Sequence, residues 1–194
     1  MELVLSEYFF ARENVGIACY VFADEYIDAV PVDSFTFPAA PVPLVIQYDS
    51  EEGCSVPDVF EMPAFSLRKS IFDTLDLNTI SGVNWVGINL VHNGNHEFVM
   101  LQVANHLKAI DRVNSDIKRY RKDDDGDEMI SGIRRLHIDQ KALQQVELAQ
   151  RLIFIDPAWY KQVFFHKSVV EQLTKLKLTG VEFIPAEGYS DFGG

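Results

Sequence analysis

Two histidines, His92 and His96, flank an Asn-Gly turn and are the first candidates for chemistry in this sequence. Imidazole is a good metal ligand, so a hairpin that brings the two rings together could hold a metal ion. Two ligands do not complete a zinc site, and Glu97, the nearest acid, points to the opposite face of a strand from His96. The spacing therefore favours ordinary residues beside a turn, and we predict no metal site and no cofactor.

The acidic run from Asp123 to Glu128 is the second candidate, because calcium-binding loops are rich in acids. An EF-hand loop needs a glycine at position 6 and a bidentate glutamate at position 12. With Gly126 at position 6, Arg121 falls at position 1 and Gly132 at position 12, so the motif fails. The sequence also lacks a nucleophile elbow, a phosphate-binding loop, a His-Glu-x-x-His motif and a dinucleotide fingerprint. We therefore predict no catalytic residues, while an enzyme of unrecognised type with a dispersed Asp/Glu/His site stays open as an alternative.

The negative charge is concentrated in the first third of the chain. Residues 1–67 hold 12 acidic residues and one basic residue, and so carry −11 of the total net charge of −12. Nucleic-acid phosphates require lysine and arginine, so this distribution argues against a nucleic-acid partner. It favours a basic protein partner, with simple solubility as the alternative.

The sequence also indicates where the protein resides. No apolar run approaches the length that crosses a bilayer, and the N-terminus lacks the charged and apolar regions of a signal peptide. The two cysteines, Cys19 and Cys54, have no metal-ligand spacing and are expected to be reduced. We therefore predict a cytoplasmic protein with no membrane partner.

The elements that must position these residues are mainly strands. Runs rich in β-branched and aromatic residues between turn residues predict strands at 15–22, 42–48, 85–91, 97–103, 133–138 and 152–155. Asp139 is expected to cap a helix that continues to about Leu148, and the charged segment 116–130 is predicted to be a mobile loop. Together these elements predict one α+β domain over residues 1–194, with a mixed or mainly antiparallel sheet and short helices.

One segment of the sequence occurs twice. Residues 69–86 align without a gap on residues 167–184, with five of 18 positions identical and six more conservatively replaced. Each copy has the pattern of a short capped helix, a glycine turn at Gly82 or Gly180, and a strand. The caps are expected at Ser70 and at Ser168, the latter with Glu171 in a capping box. We therefore predict two copies of one helix–turn–strand unit.

Three stretches together resemble one protein family. They are Val56-Pro-Asp-Val-Phe with Val83-Asn-Trp-Val, then Phe98 to Ser115 including Asp111, then Leu152-Ile-Phe-Ile-Asp with Leu178-Thr-Gly-Val-Glu-Phe183. Their order is similar to immunity-protein family eleven of bacterial polymorphic toxin systems, formerly a domain of unknown function, over residues 55–184. The resemblance implies a cytoplasmic, non-enzymatic protein that binds and blocks a cognate toxin in bacterial competition. It implies no catalytic residues.

The acidic segments are the predicted contact with such a toxin, which we expect to present a basic cleft. The partner-binding candidates are Asp49, Glu51, Glu52, Asp123, Asp124, Asp125, Asp127 and Glu128. A self-associating scaffold protein is the remaining alternative, since the sequence is rich in aromatic residues that could form a subunit interface instead of a core. Those considered are Phe9, Phe10, Trp159, Phe164 and Phe165.

Overall fold

The computed structural model describes residues 6–14, 44–47, 55–61, 64–91, 94–122 and 128–192. The described strands are β1 (Tyr8–Glu13), β2 (Leu44–Gln47), β3 (Val59–Phe60), β4 (Ser66–Arg68), β5 (Val83–Val91), β6 (Asn95–Val103), β7 (Asp116–Lys122), β8 (Glu128–Arg135), β9 (Ile153–Asp156), β10 (Trp159–His166) and β11 (Val181–Pro185). The helices are α1 (Lys69–Phe72), α2 (Gln140–Gln144) and α3 (Lys167–Thr174), with 3₁₀ turns at Leu77–Thr79 and Leu148–Gln150. The predicted α+β class is confirmed.

The strands form three sheets. Their orders are β2-β5-β6-β4-β3, β11-β1-β10-β9 and β7-β8. The β5–β6 hairpin, which the Asn-Gly turn predicts, pairs antiparallel from Val83 with Val103 to Val91 with Asn95. The strand predicted at 42–48 is β2, which runs parallel to β5 and makes its sheet mixed. The strand predicted at 15–22 lies outside the described residues.

Two compact units divide the chain, each made of segments that are distant in sequence. The first comprises residues 1–11, 105–172 and 183–194, and the second comprises residues 12–104 and 173–182. The assignment of the whole chain to one domain stays a prediction.

The core of the first unit is built from aromatic rings. The rings of Phe154 and Phe164 are stacked with centroids 4.8 Å apart, and Phe10 meets Trp159 edge-on at 5.5 Å. Phe10, Phe154, Trp159 and Phe164 are fully buried, and Phe165 is nearly so. Edge-to-face and offset aromatic pairs add stability beyond the area that they bury. Of the five aromatic residues considered for a subunit interface, only Phe9 is not buried, so the other four belong to the core instead.

The core of the second unit lies on the β5–β6 hairpin. Val86, Ile88 and Leu90 are buried and alternate with partly buried neighbours, which is the period of a strand that buries one face. Phe98 on β6 packs against Phe60 with ring centroids 5.0 Å apart. Both rings are fully buried.

The two ends of the segment 116–130 are strands rather than parts of the loop that its charge blocks suggested, and residues 123–127 lie outside the described residues. Residues 116–122 are strand β7 and residues from 128 onward are strand β8, paired antiparallel with a register shift. Ile117 lies opposite Ile133, and Tyr120 lies opposite Ile130. These cross-strand apolar pairs stabilise the hairpin and override the low strand propensity of the charged neighbours.

The two segments of the predicted repeat have related elements but different caps. Their helices begin at Lys69 and Lys167, their turns place Gly82 and Gly180 at φ of 72° and 89°, and strands follow at once. The predicted caps are wrong, because Ser70 and Ser168 both lie inside their helices. The repeat itself stays a prediction. The same order of elements, a helix, a 3₁₀ turn and an antiparallel hairpin, occurs at residues 69–103 and again at residues 140–166.

Candidate functional site

The structure describes only one of the eight residues predicted to bind a partner. Asp49, Glu51, Glu52, Asp123, Asp124, Asp125 and Asp127 lie outside the described residues. Glu128 is exposed at the start of β8, and its Oε2 lies 3.9 Å from Nη1 of Arg112. Its charge is therefore partly compensated, but its exposure leaves it accessible to a partner.

A polar groove in the second unit is a concave surface that the sequence did not predict. It has a volume of about 520 Å³ and is lined by Arg68, Ser70, Asn89, Asn95, His96 and Glu97. Asn89 and Glu97 are direct cross-strand neighbours on the β5–β6 hairpin. The side chains of the lining residues carry amide, hydroxyl, imidazole, carboxylate and guanidinium groups, and none of these residues is Phe, Tyr or Trp. Such a surface suits hydrogen bonds to a polar segment better than the binding of an apolar ligand.

Arg68 is the fixed cation of this groove. Its Nε donates to Oδ1 of Asp58 over 3.2 Å, and its Nη2 donates to the carbonyl oxygens of Val56 and Pro57 over 2.8 and 3.0 Å. Its guanidinium also lies 5.1 Å from the ring centroid of Phe98. Because these contacts hold the guanidinium, Arg68 serves mainly to tie residues 56–58 to β4.

Asp58 and Thr179 connect two of the stretches that carry the family resemblance. Oδ2 of Asp58 accepts from the Thr179 backbone N–H over 3.0 Å and from its hydroxyl over 2.8 Å, while the Asp58 N–H donates to Oγ1 of Thr179. Burial alone would raise the pKa of Asp58, but the hydrogen bonds from Thr179 and Arg68 outweigh it and hold the pKa below its ordinary value. The motif Leu178-Thr-Gly therefore has a structural role against Pro57-Asp-Val.

The Asp111 and Ser115 stretch also has a structural role. Oδ1 of Asp111 accepts from the backbone N–H groups of Val113 and Asn114, both over 3.0 Å, which closes the turn before β7. Oγ of Ser115 accepts from the His137 N–H over 2.9 Å. Nδ1 of His137 lies 2.6 Å from Oε1 of Glu187, whose Oε2 accepts from the Ile138 N–H over 2.9 Å. These groups join backbone segments of the first unit.

His166 lies in the arrangement closest to a catalytic triad. Its Nδ1 is 2.8 Å from Oγ of Ser168, and its Nε2 is 3.3 Å from Oε1 of Glu7. The backbone N–H of Ser168 also donates to Nδ1 over 3.2 Å, so Nδ1 is the acceptor and Nε2 carries the proton toward Glu7. The imidazole therefore acts as the cap of α3, accepting an amide that the helix leaves without a partner.

Arg151 also belongs to this network and stabilises the charged form of Glu7. Its Nη1 lies 3.2 Å from Oε1 of Glu7 and 2.5 Å from the hydroxyl of Tyr8. Burial would raise the pKa of Glu7, but hydrogen bonds from Arg151 and His166 hold it below its usual value. Burial lowers the pKa of His166 in spite of Glu7. The side chain of His166 is only 5% exposed, so this arrangement does not give substrate a path to the imidazole.

Asp156 is a buried acid that the sequence analysis missed. Its Oδ2 accepts from the backbone N–H groups of Ala109 and Ile110 over 2.8 and 3.0 Å, and its Oδ1 accepts from the Ala158 N–H over 2.8 Å. A buried carboxylate is stable only when it is paired or hydrogen-bonded in this way. The sequence could have indicated this burial, because Asp156 directly follows the apolar run Ile153 to Ile155. An acid at the end of a buried strand can accept backbone hydrogen bonds rather than face solvent.

Glu61 has the largest pKa shift among the described acidic residues. Burial raises its pKa to about 7, and the nearby charge of Glu13 adds to the increase, although the Glu13 N–H donates to Oε2 over 3.2 Å and Arg12 acts in the opposite direction. Arg12 is itself 2.7 Å from Glu182. The protonated form of Glu61 is therefore favoured in the folded state below neutral pH.

We expect Glu61→Gln to stabilise the protein above about pH 4.5, with a gain that grows as the pH rises and is complete above about pH 7. Below the unfolded pKa of 4.5 the carboxyl is protonated in both states. As the pH rises from there to about 7, the unfolded chain releases the proton first, so the wild type loses stability. After allowance for partial exposure, the gain at pH 8 should be about 1–2 kcal/mol, with none at pH 4. Urea unfolding at both pH values measures it.

The exposed Glu147 provides the control for this prediction. Glu147→Gln removes the same charge from the surface, so it should change stability by less than about 0.5 kcal/mol at both pH values. An equal gain from both substitutions would mean that net charge, rather than burial of Glu61, is responsible.

The described residues offer no metal-binding cluster. Over 6–14, 44–47, 55–61, 64–91, 94–122 and 128–192, no group of three or more His, Cys, Asp or Glu side chains is placed to hold an ion. His92 lies outside those ranges, and His96 is half-buried at the polar groove. Within the same part of the chain, no helix has the length and apolar character needed to cross a membrane.

Comparison with known proteins assigns no family to the chain. No protein-family model matches it, and no curated protein matches it significantly. The resemblance to immunity-protein family eleven therefore stays a prediction.

Proposed function

We propose that this protein is a cytoplasmic immunity protein that binds a cognate bacterial toxin and neutralises it by stoichiometric occlusion. The proposal begins from the resemblance over residues 55–184. The observation that carries it furthest is the concentration of charge, −11 on residues 1–67. A protein whose partner is a basic enzyme domain gains both association rate and specificity from such an acidic segment.

Several ionisable side chains among the described residues make structural hydrogen bonds, which supports a binding protein rather than an enzyme. Asp156, Asp58 and Glu187 each accept backbone N–H groups of other segments. Glu7 and His166 of the triad-like arrangement also make structural contacts. They contact each other beside β1, and His166 accepts the Ser168 N–H at the start of α3. None of these side chains lines the polar groove. A catalytic group needs contact with substrate, and these groups make structural contacts instead.

The direct test uses the toxin that this proposal expects the neighbouring gene to encode. Its C-terminal domain should co-purify with this protein at a ratio of one to one, and co-expression should protect cells that the domain otherwise kills. Catalytic turnover of the toxin or of a small molecule by this protein would contradict occlusion, as would protection at amounts far below those of the toxin.

Salt dependence tests the electrostatic part of the proposal. Raising ionic strength from about 0.01 M to about 1 M shortens the screening length from about 30 Å to about 3 Å, so the association rate should fall at least about tenfold. Neutralising Asp49, Glu51 and Glu52 to their amides should reduce both the rate at low salt and its salt dependence. The matched comparison uses two double variants. Glu51→Gln/Glu52→Gln changes the candidate contact, and Glu147→Gln/Glu171→Gln changes two exposed acids of the first unit as the control. Equal effects of the two double variants would contradict a contact at residues 49–52.

A further inference from the structure

The polar groove of the second unit lies where strand β4 ends. β4 pairs with residues 98–100 of β6, and the chain then turns into α1 at Lys69. Residues 95–97 of β6 extend beyond the end of β4 and line the groove. The volume of the groove is about 520 Å³, whereas one water molecule in the liquid occupies about 30 Å³. The groove therefore has room for a whole side chain of another protein.

The β5–β6 hairpin gives the groove two chemically different sides. Asn89 is paired with Glu97, so their side chains lie on one face of the hairpin, together with that of Asn95 two residues earlier. His96 lies on the opposite face, and the register of β4 with β6 places Arg68 on that opposite face as well. The carboxylate is therefore next to two amides and is separated from the guanidinium by the sheet.

The charge of Arg68 is compensated, and the charge of Glu97 is not. Arg68 donates from Nε to Oδ1 of Asp58 over 3.2 Å and from Nη2 to two backbone carbonyl oxygens. In the part of the chain that the structure describes, the exposed side chain of Glu97 has no ion pair and no hydrogen bond, and the same is true of the amides of Asn89 and Asn95. One face of the groove therefore presents a negative charge and two unused amide oxygens, all of which are hydrogen-bond acceptors.

We propose that this groove binds an arginine side chain of a partner protein, which is the toxin if the proposed immunity function is correct. The two carboxylate oxygens of Glu97 and the amide oxygens of Asn89 and Asn95 provide four acceptors. A guanidinium has five N–H donors in a planar fork, whereas a lysine ammonium has three donors, so arginine uses these acceptors more fully. A carboxylate or phosphate ligand would be repelled by Glu97, and an aromatic ligand would find no ring among the lining residues.

A titration of the full chain with arginine peptides, followed by NMR, tests the chemistry of the groove. The side-chain amide signals of Asn89 and Asn95 should shift when the capped peptide Gly-Gly-Arg-Gly-Gly is added. They should not shift with the same peptide carrying citrulline, which has nearly the same shape as arginine without its charge. The absence of shifts at about 10 mM arginine peptide overturns the inference, as do equal shifts with the citrulline peptide.

Two substitutions of the same type identify the carboxylate that is responsible. Glu97→Gln should weaken binding of the arginine peptide at least about tenfold, because hydrogen bonds to charged groups are stronger than those to neutral ones. Glu147→Gln removes the same charge from an exposed position of the first unit and should leave the affinity unchanged within about twofold. Equal affinities of the two variants overturn the assignment to Glu97, and the remaining NMR signals establish that each variant is folded.

Binding of the toxin domain separates this inference from the proposed function. Glu97→Gln should bind the domain at least about tenfold more weakly than the wild type, and Glu147→Gln should bind it as the wild type does. Equal affinities of the wild type and Glu97→Gln overturn the role of the groove and leave the immunity function in place. If the domain does not bind the wild type, the immunity function is contradicted instead, and the peptide titration alone decides whether the groove binds arginine.

Discussion

Gly180→Ala should lower the free energy of unfolding by about 3–5 kcal/mol, the sum of backbone strain and overlap in a packed turn. Gly180 has φ of +89°, a conformation that residues with a side chain rarely adopt. A Cβ at this position would lie 2.6 Å from Cβ of Pro57 and closer still to the carbonyl oxygen of Val59. A substitution there must therefore displace backbone rather than a flexible side chain.

The surrounding hydrogen bonds oppose any backbone movement that would make room for the new side chain. The Val59 N–H donates to the Thr179 carbonyl over 3.1 Å, and the Asn14 N–H donates to the Gly180 carbonyl over 3.2 Å. Movement of either segment would weaken these bonds and the contacts between Asp58 and Thr179. Urea unfolding followed by circular dichroism measures the loss.

Gly188→Ala separates the two causes. Gly188 has φ of +80°, but a Cβ there would meet no atom within 4 Å. It therefore reports the backbone cost alone, which should be about 1 kcal/mol. If the two alanine variants lose the same stability, the close approach of Gly180 to residues 57–59 is contradicted.

The sequence predicted the regular elements where local patterns were strong. The Asn-Gly turn between apolar runs located the β5–β6 hairpin, and Asp139 caps α2 by accepting from the Ala142 N–H over 3.0 Å, as expected. The helix after that cap ends at Gln144 rather than near Leu148, and Glu147 is extended (φ −58°, ψ 141°) before a separate 3₁₀ turn at Leu148–Gln150. The position of a helix end depends on packing that periodicity does not record.

The sequence failed where distant residues decide the outcome. Ser168 has the spacing of a capping box with Glu171, yet His166 accepts the amide at the start of α3, and its position is fixed by Glu7. The polar groove likewise joins Arg68 and Ser70 to Asn89 and residues 95–97, which lie about two dozen positions away. Neither arrangement has a local signature, because its geometry comes from strand pairing between β4 and β6 or between β1 and β10.

The residues that suggested a family are the same residues that hold the fold together. Thr179 and Gly180 pack on residues 57–59, and Asp111 and Ser115 close the turn before β7. A resemblance carried by such residues is evidence about the scaffold before it is evidence about function. Recognition of a particular partner would then depend on other residues, of which the acidic segments are our candidates.

Asp156→Ala should cost about 4 kcal/mol, because it leaves three buried backbone N–H groups without an acceptor. The side chain of Asp156 links the segment at Ala109 and Ile110 to the turn at Ala158, and the residue is only 3% exposed. Water cannot readily replace the lost oxygens at such a position. For a chain of this length the midpoint of thermal unfolding should fall by about 8–16 °C.

Two further substitutions distinguish this role from that of an ordinary cap. Asp156→Asn keeps one acceptor oxygen but turns an NH₂ group toward backbone donors, so its loss should be intermediate. Asp139→Ala removes a helix cap at a half-buried position and should cost about 1 kcal/mol. If Asp156→Ala is no more harmful than Asp139→Ala, the three amides have other acceptors and Asp156 does not hold these segments together.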